Sequence, residues 1–221
     1  MKTLVVVTGT GTEVGKTFVA AATIAQLRKQ SITVAARKPA QSFDPDDQHP
    51  HDSAVLSAAS GETDTEVCPA NRRYPIAMAP PMAADALRLP PILLQDLMNE
   101  IAATSADVMM LEGAGGLRSP LAHDGDGLDL MTQLPTALAV VVADAGLGTI
   151  NAVTLTVDAI RLHCRVPIAV ILNRYNPADS LHVANRVYLQ HHSPARILTT
   201  IAELAIEIIN VHRESLRNDQ R

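Results

Sequence analysis

A chain of 221 residues, 47% of them hydrophobic but only 2% aromatic, holds material for one sizeable core, which Val, Leu, Ile, Ala and Met must build in the manner of parallel strands covered by helices. Its 18 basic and 23 acidic side chains give a formal charge of -5, so the basic excess that would neutralise a nucleic-acid backbone is missing and nucleic acid is excluded as an expected partner. Cys68 and Cys164 stand far apart without metal-ligand spacing and read as packed free thiols of a reducing compartment.

The chain opens Met1-Lys2-Thr3-Leu4 and runs into Val5-Val6-Val7 before a glycine turn. That apolar stretch is too short for a signal sequence or a membrane span, so a cytoplasmic protein with no membrane partner is expected. Leu4 to Val7 reads as the first buried strand. It leads into Gly9-Thr10-Gly11-Thr12-Glu13-Val14-Gly15-Lys16-Thr17 and an Ala-rich helical stretch from Phe18 to Lys29. In such a strand, glycine loop and helix, the glycines let backbone N–H groups turn towards phosphate and the helix N-terminus adds positive dipole. Lys16 would reach the outer phosphates, and the Thr17 hydroxyl can ligate Mg²⁺. Strict Walker A spacing would put glycine at position 10, where Thr10 stands, so the loop carries one extra residue between Gly9 and Gly15.

Ile32 to Ala36 is the second expected strand, followed by Arg37-Lys38-Pro39-Ala40-Gln41-Ser42. This places Lys38 at the carboxyl edge of the sheet, where ligands collect in open α/β folds. Residues 42–52 read as a mobile polar loop near a site, in which Asp44, Asp46 and Asp47 are simply solvated. At the start of the next helix Asp52 is either an N-cap or an oxygen ligand for a cation. The Pro-rich stretch 69–91 reads as loop. Val108 to Leu111 is a third strand, and Glu112-Gly113-Ala114-Gly115-Gly116 at its end joins an acid to small residues that let a ligand approach the backbone.

Ala137 to Ala143 and Ile168 to Leu172 complete the set of strands. Between them Gly146-Leu147-Gly148-Thr149-Ile150-Asn151 starts a helix, either an ordinary capped one or one whose free N–H groups hold an anion; Val153, Val157 and Ile160 carry it on. Ile201, Leu204, Ala205 and Ile208 repeat the helical spacing, and the charged tail from Arg213 to Arg221 reads as frayed. Strands alternating with helices predict an α/β fold over 1–221, a single P-loop domain with a mostly parallel sheet and helices on both faces.

The phosphate loop, Tyr74-Pro75, Met78-Ala79-Pro80 and Glu112-Gly113-Ala114-Gly115-Gly116 together resemble the dethiobiotin synthetase family, within the P-loop ATPases that also include ParA/MinD proteins and cobyrinic acid amide synthetases. The resemblance covers roughly residues 3 to 174. It implies ATP as co-substrate, with Mg²⁺ on Thr17, Asp52 and Glu112, and Lys16 and Lys38 as catalytic cations. Nucleotide contacts are implied for Glu13, Val14, Gly15, Lys16, Thr17, Phe18, Asp52, Glu112, Gly113, Ala114, Gly115, Asn173 and Arg174, with Asn173 at the adenine-reading position. Substrate contacts are implied for Thr12, Lys38 and Ser42, and for Gly148, Thr149 and Asn151 reaching across a homodimer interface. The implied reaction joins CO₂ to the diamine carboxylate 7,8-diaminopelargonic acid and closes it to dethiobiotin, with ADP and phosphate released.

Two departures stand out: Phe43 replaces the glycine that commonly follows the family's serine, and the usual Gly-x-Ile-Pro stretch of the base pocket is not recognisable in residues 195–202. They leave a non-enzymatic nucleotide-binding paralogue as one alternative. A ParA/MinD-like switch is the other, although Thr10, Gly11 and Thr12 stand where such loops carry an additional lysine.

Overall fold

The structure, a computed structural model, describes residues 3–101 and 104–219. In chain order the first half comprises β1 (Thr3–Gly9), α1 (Lys16–Lys29), β2 (Val34–Arg37), β3 (Gln41–Ser42), α2 (Asp52–Ser60), α3 (Asp64–Val67), β4 (Arg73–Tyr74), α4 (Pro80–Ala86) and α5 (Leu94–Glu100). The second half comprises β5 (Val108–Glu112), β6 (Pro120–Ala122), β7 (Gly125–Asp126), α6 (Gly127–Gln133), β8 (Thr136–Asp144), α7 (Thr149–His163), β9 (Ile168–Asn173), α8 (Ser180–His192), β10 (Arg196–Leu198) and α9 (Ile201–Asp219).

Six strands form one sheet in the order β10-β9-β8-β1-β5-β2, every pairing parallel. Successive side chains of a strand face opposite sides, so a strand covered on both faces must be apolar at every position. From Leu4 to Val7, β1 meets that requirement. Leu4 and Val6 pack into the core shared with Leu97 of α5, Leu128 of α6 and Val157 of α7. Val5 and Val7 pack into the opposite core with Ile24 and Leu27 of α1 and Leu204 and Ile208 of α9. Parallel strands align their carboxyl ends. At that edge β1 continues into the glycine loop, β2 into Lys38 and β5 into the glycine-rich turn from Gly113 to Gly116.

Two expectations are corrected. Residues 69–91 are not all loop: Ala70–Arg72 make a 3₁₀ turn, Arg73–Tyr74 pair with Gln41–Ser42, and Pro80–Ala86 is a helix. Prolines 80 and 81 occupy its first turn, where the missing N–H would have had no partner. The tail does not fray at Arg213, because α9 continues to Asp219, held by an apolar stripe and by His212, whose Nδ1 lies 2.9 Å from the hydroxyl of Thr3 on β1. Gln220 and Arg221 lie outside the described residues. No helix among those described is long and apolar enough to cross a membrane.

Candidate active site at the carboxyl edge of the sheet

The glycine loop turns from β1 into α1 with Gly15 as N-cap in the left-handed conformation, at φ 92°. The first helical N–H groups have no intrahelical acceptor, and Val19 is the residue that returns a bond to the Gly15 carbonyl, at 3.0 Å. Thr10 N–H is tied to Val142 O at 3.0 Å, and Gly9 O receives Leu117 N–H at 3.1 Å. A Cβ on Gly116 would lie 3.4 Å from Gly11 Cα, so the two glycine segments approach backbone to backbone. Lys16 is buried with its ammonium on Gly11 O at 2.8 Å. Burial, helped by the charge of Lys38, pulls its pKa down to about 8 against the opposing pull of Glu112 and Asp52.

Lys38 is the centre of the site. Alternation along β2 sends Arg37 to one side, where it pairs with Glu62 at 2.6 Å, and Lys38 to the other. Its ammonium, 2% exposed, lies 2.6 Å from Glu112 Oε1, 2.7 Å from Asp52 Oδ2 and 3.1 Å from Gly113 O. Three acceptors thus meet three donors. Burial opposes the charge, but Glu112 and Asp52 overcome it and raise the lysine's pKa. The same carboxylates diverge: burial raises Glu112, whereas Asp52, less enclosed, is lowered by Lys38 and by hydrogen bonds.

Thr17 closes the group, its hydroxyl 2.7 Å from Asp52 Oδ1 and 2.8 Å from Glu112 Oε1. One hydroxyl proton serves one of these carboxylates at a time, and Glu112 Oε2 is buried with no partner among the described residues. Hard oxygens, crowded and only partly satisfied, are the donor set that suits Mg²⁺, which keeps several waters and needs few protein ligands. No group of three or more His, Cys, Asp or Glu side chains is placed to hold a metal ion among the described residues, so two carboxylates and a hydroxyl are what the site offers. Asp52 is the first residue of α2, and the N-cap is His51, which makes no side-chain capping bond. The aspartate therefore does not cap its helix but turns towards Lys38 and Thr17.

A cleft of about 960 Å³ lies over this group. Of the residues singled out from sequence, Thr12, Glu13, Gly15, Lys16, Thr17, Lys38, Ser42, Asp52, Glu112, Ala114, Gly115 and Arg174 line it. Gly113 contributes its carbonyl to Lys38, whereas Phe18 is 63% exposed on α1 away from the lining. Asn173 sits behind the loop and is joined to it by a 2.9 Å bond from its Nδ2 to the carbonyl of Val14, a loop residue that does not line the cleft. Gly148 caps α7 at φ 89°, Thr149 is buried with its hydroxyl unpartnered among the described residues, and Asn151 lines an adjoining groove of about 640 Å³ that shares Thr12 and Ser119 with the cleft. Gln41, Phe43, Asp44, Asp47 and His49 also line the cleft. Gln41 and Ser53 exchange two 2.9 Å bonds that fix the root of the 42–52 loop, and the Phe43 ring lies 3.8 Å from that of His51.

A family model described as an AAA domain matches residues 3–206. The chain is 40% identical over 159 residues to an ATP-dependent dethiobiotin synthetase BioD of Rhodococcus jostii (strain RHA1), covering 71% of this chain and 67% of the relative. It is 35% identical over 206 residues to the protein of the same name from Anaeromyxobacter dehalogenans (strain 2CP-C), covering 90% and 91%. A plasmid partition protein of Borrelia burgdorferi superposes with a TM-score of 0.55 at 12% identity, over 98% of this chain and 99% of that one; this likeness is one of fold. Matches at this identity over most of both chains, with a phosphate loop facing a lysine shared by two carboxylates, lead to one conclusion: the chain belongs to the ATP-dependent dethiobiotin synthetase family.

Proposed function

We propose that the protein is an ATP-dependent carbon–nitrogen ligase that closes 7,8-diaminopelargonic acid and CO₂ to dethiobiotin, releasing ADP and phosphate. The observation that carries the reading is Lys38, buried at the mouth of the phosphate loop with its charge held by Glu112 and Asp52. One substrate amine adds to CO₂, losing a proton to give a carbamate. A carbamate oxygen attacks the γ-phosphorus as ADP leaves, and the second amine attacks the carbamoyl carbon as phosphate departs and the ring closes. Carbamate and triphosphate are both anions, and the chain's task is to hold them together. Lys16 and the loop N–H groups grip the phosphates, and Lys38 faces the oxygen charge that grows during transfer. We assign Thr17, Asp52 and Glu112 as the groups that hold Mg²⁺, which when bound supplies further positive charge against the phosphate oxygens.

The reading extends to a single catalytic domain in the cytoplasm, working as a homodimer in which Gly148, Thr149 and Asn151 of one copy meet the substrate carboxylate of the other. Leu155 and Leu162 lie exposed along the same helix as Asn151, which supports a covered face there. The direct test is phosphate release by purified protein with and without the diamine. Release that requires the diamine is expected; equal release without it would favour a ParA/MinD-like switch, and none in either case a non-enzymatic paralogue.

Two further outcomes are expected. Asp52→Asn and Glu112→Gln each remove an anionic oxygen, so a magnesium titration of activity should shift to higher concentration by roughly tenfold or more. An unchanged titration would remove that residue from the cation site. Lys16, with a pKa near 8 when free of ligand, must be charged to meet phosphate. Triphosphate affinity should therefore fall as pH rises above about 8, with proton uptake on binding visible by calorimetry in buffers of different ionisation enthalpy. Folding stability responds with the opposite sign: between about 8 and the unfolded value of 10.5 the unfolded chain holds more protons at this site, so its contribution to stability grows with pH. Affinity that stays flat from pH 8 to 9.5 would contradict the assignment.

A further inference from the structure

β9 ends directly behind the phosphate loop, and its last residue and the one after it each grip the loop's backbone. Asn173 Nδ2 donates to Val14 O at 2.9 Å, and Arg174 Nη2 donates to Glu13 O at 3.0 Å. In a planar trans peptide the carbonyl of one residue and the N–H of the next point in opposite directions. Fixing the carbonyls of Glu13 and Val14 on the β9 side therefore turns the N–H groups of Val14 and Gly15 to the other side of the loop.

The contact is close. An ideal Cβ on Gly15 would fall 2.1 Å from Asn173 Nδ2, leaving no space between amide and loop. Backbone on both sides is left-handed, with φ 60° at Glu13, 92° at Gly15 and 57° at Arg174. Non-glycine residues hold that conformation only where their surroundings impose it. Arg174 is itself anchored by Asp144 Oδ2 at 3.1 Å, and the other oxygen of that carboxylate receives Gly146 N–H at 2.8 Å.

We infer that Asn173 is a positioning residue for the phosphate loop, with Arg174 as the second arm of the same clamp: together they hold two consecutive peptide planes so that N–H groups face the ligand. The inference rests on the nucleotide reading above. It gives Asn173 a task that no base is needed to perform. Arg174 lines the cleft and can also touch a ligand directly, whereas Asn173 does not line it, so Asn173 isolates the effect.

The experiment measures binding of inorganic tripolyphosphate, which has no base, in the presence of Mg²⁺, to the parent and to Asn173→Asp at pH 8 and pH 5. At pH 8 the introduced carboxylate repels the Val14 carbonyl, and affinity should be about tenfold weaker than the parent's, the scale of one lost hydrogen bond with an unsatisfied partner. At pH 5 the introduced carboxyl group, held against a carbonyl that favours its protonated form, can donate again, so the ratio of parent to variant affinity should narrow towards one. ATP and GTP should lose affinity by the same factor as tripolyphosphate at pH 8. Tripolyphosphate affinity equal to the parent's at pH 8, or a loss that does not narrow at pH 5, would overturn the clamp. A loss confined to ATP would make Asn173 a base reader instead. A parent that binds neither ATP nor tripolyphosphate would overturn the nucleotide reading and the clamp with it, whereas a parent that binds both separates the two questions.

Discussion

Lys38→Gln should retain triphosphate binding within a few-fold while dethiobiotin formation falls by about 10²–10³, the usual cost of removing one electrostatic donor aimed at developing charge. Binding survives because Lys16 and the loop N–H groups are untouched. The substitution also deprives Glu112, 1% exposed, of its counter-charge. Breaking a buried pair from one side typically costs about 3–5 kcal/mol, so the variant should melt earlier. Protonation of Glu112 limits that cost, since burial already raises its pKa. Thermal unfolding of Lys38→Gln beside Lys38→Gln/Glu112→Gln separates the two effects: the double variant should regain stability without regaining product. Nucleotide affinity by calorimetry and product formation on the same preparation decide the role. Equal product rates in parent and variant would remove Lys38 from the mechanism, and equally lost nucleotide binding would make it a binding residue only.

Gly15→Ala should abolish measurable triphosphate binding, a loss of about 10²-fold or more. Two causes add. Alanine is strained at φ 92°, and its methyl group would occupy the position 2.1 Å from the Asn173 amide. The amide cannot swing away without releasing Val14 O, so relief of the clash deforms the loop that presents the phosphate-binding N–H groups. Because Gly15 lies at the edge of the cleft and not in the core, the variant should fold, with circular dichroism close to the parent's. Near-parent affinity in a folded Gly15→Ala would show that this loop does not bind phosphate.

The sheet is legible in the sequence wherever a strand is covered on both faces, because Val5 to Val7, Val108 to Leu111 and Ala139 to Ala143 have no polar side to confuse the pattern. β10 is not, being three residues with Arg196 exposed at its head. α4 hides behind Pro80 and Pro81, which read as loop residues although they open a helix. α8 is mostly polar, and its clearest mark is Asp179, whose carboxylate caps the N–H groups of Leu181 and His182.

In the candidate site each motif is readable alone: a glycine loop ending in Lys16-Thr17, a lysine after β2, an acid before glycines. What sequence spacing does not contain is their convergence. Thr17 meets carboxylates 35 and 95 residues away, and Asn173 reaches Val14 across 159 residues. That the Lys38 ammonium meets Glu112 follows from β2 and β5 lying side by side in parallel register, and the start of α2 brings Asp52 to the same ammonium, neither of which a linear pattern shows. Asp44 and Asp47 read as solvated charges and stand at the cleft, since a hydrophilic run carries no signal of what it faces.

We propose that this cleft joins carbon dioxide to a diamine at the expense of ATP. Purified protein supplied with ¹³C-bicarbonate, 7,8-diaminopelargonic acid, Mg²⁺ and ATP should place the label in the ureido carbon of dethiobiotin, with one phosphate released for each ring closed. Phosphate released without label in a cyclic urea, or no labelled product from folded protein that binds ATP, would contradict it.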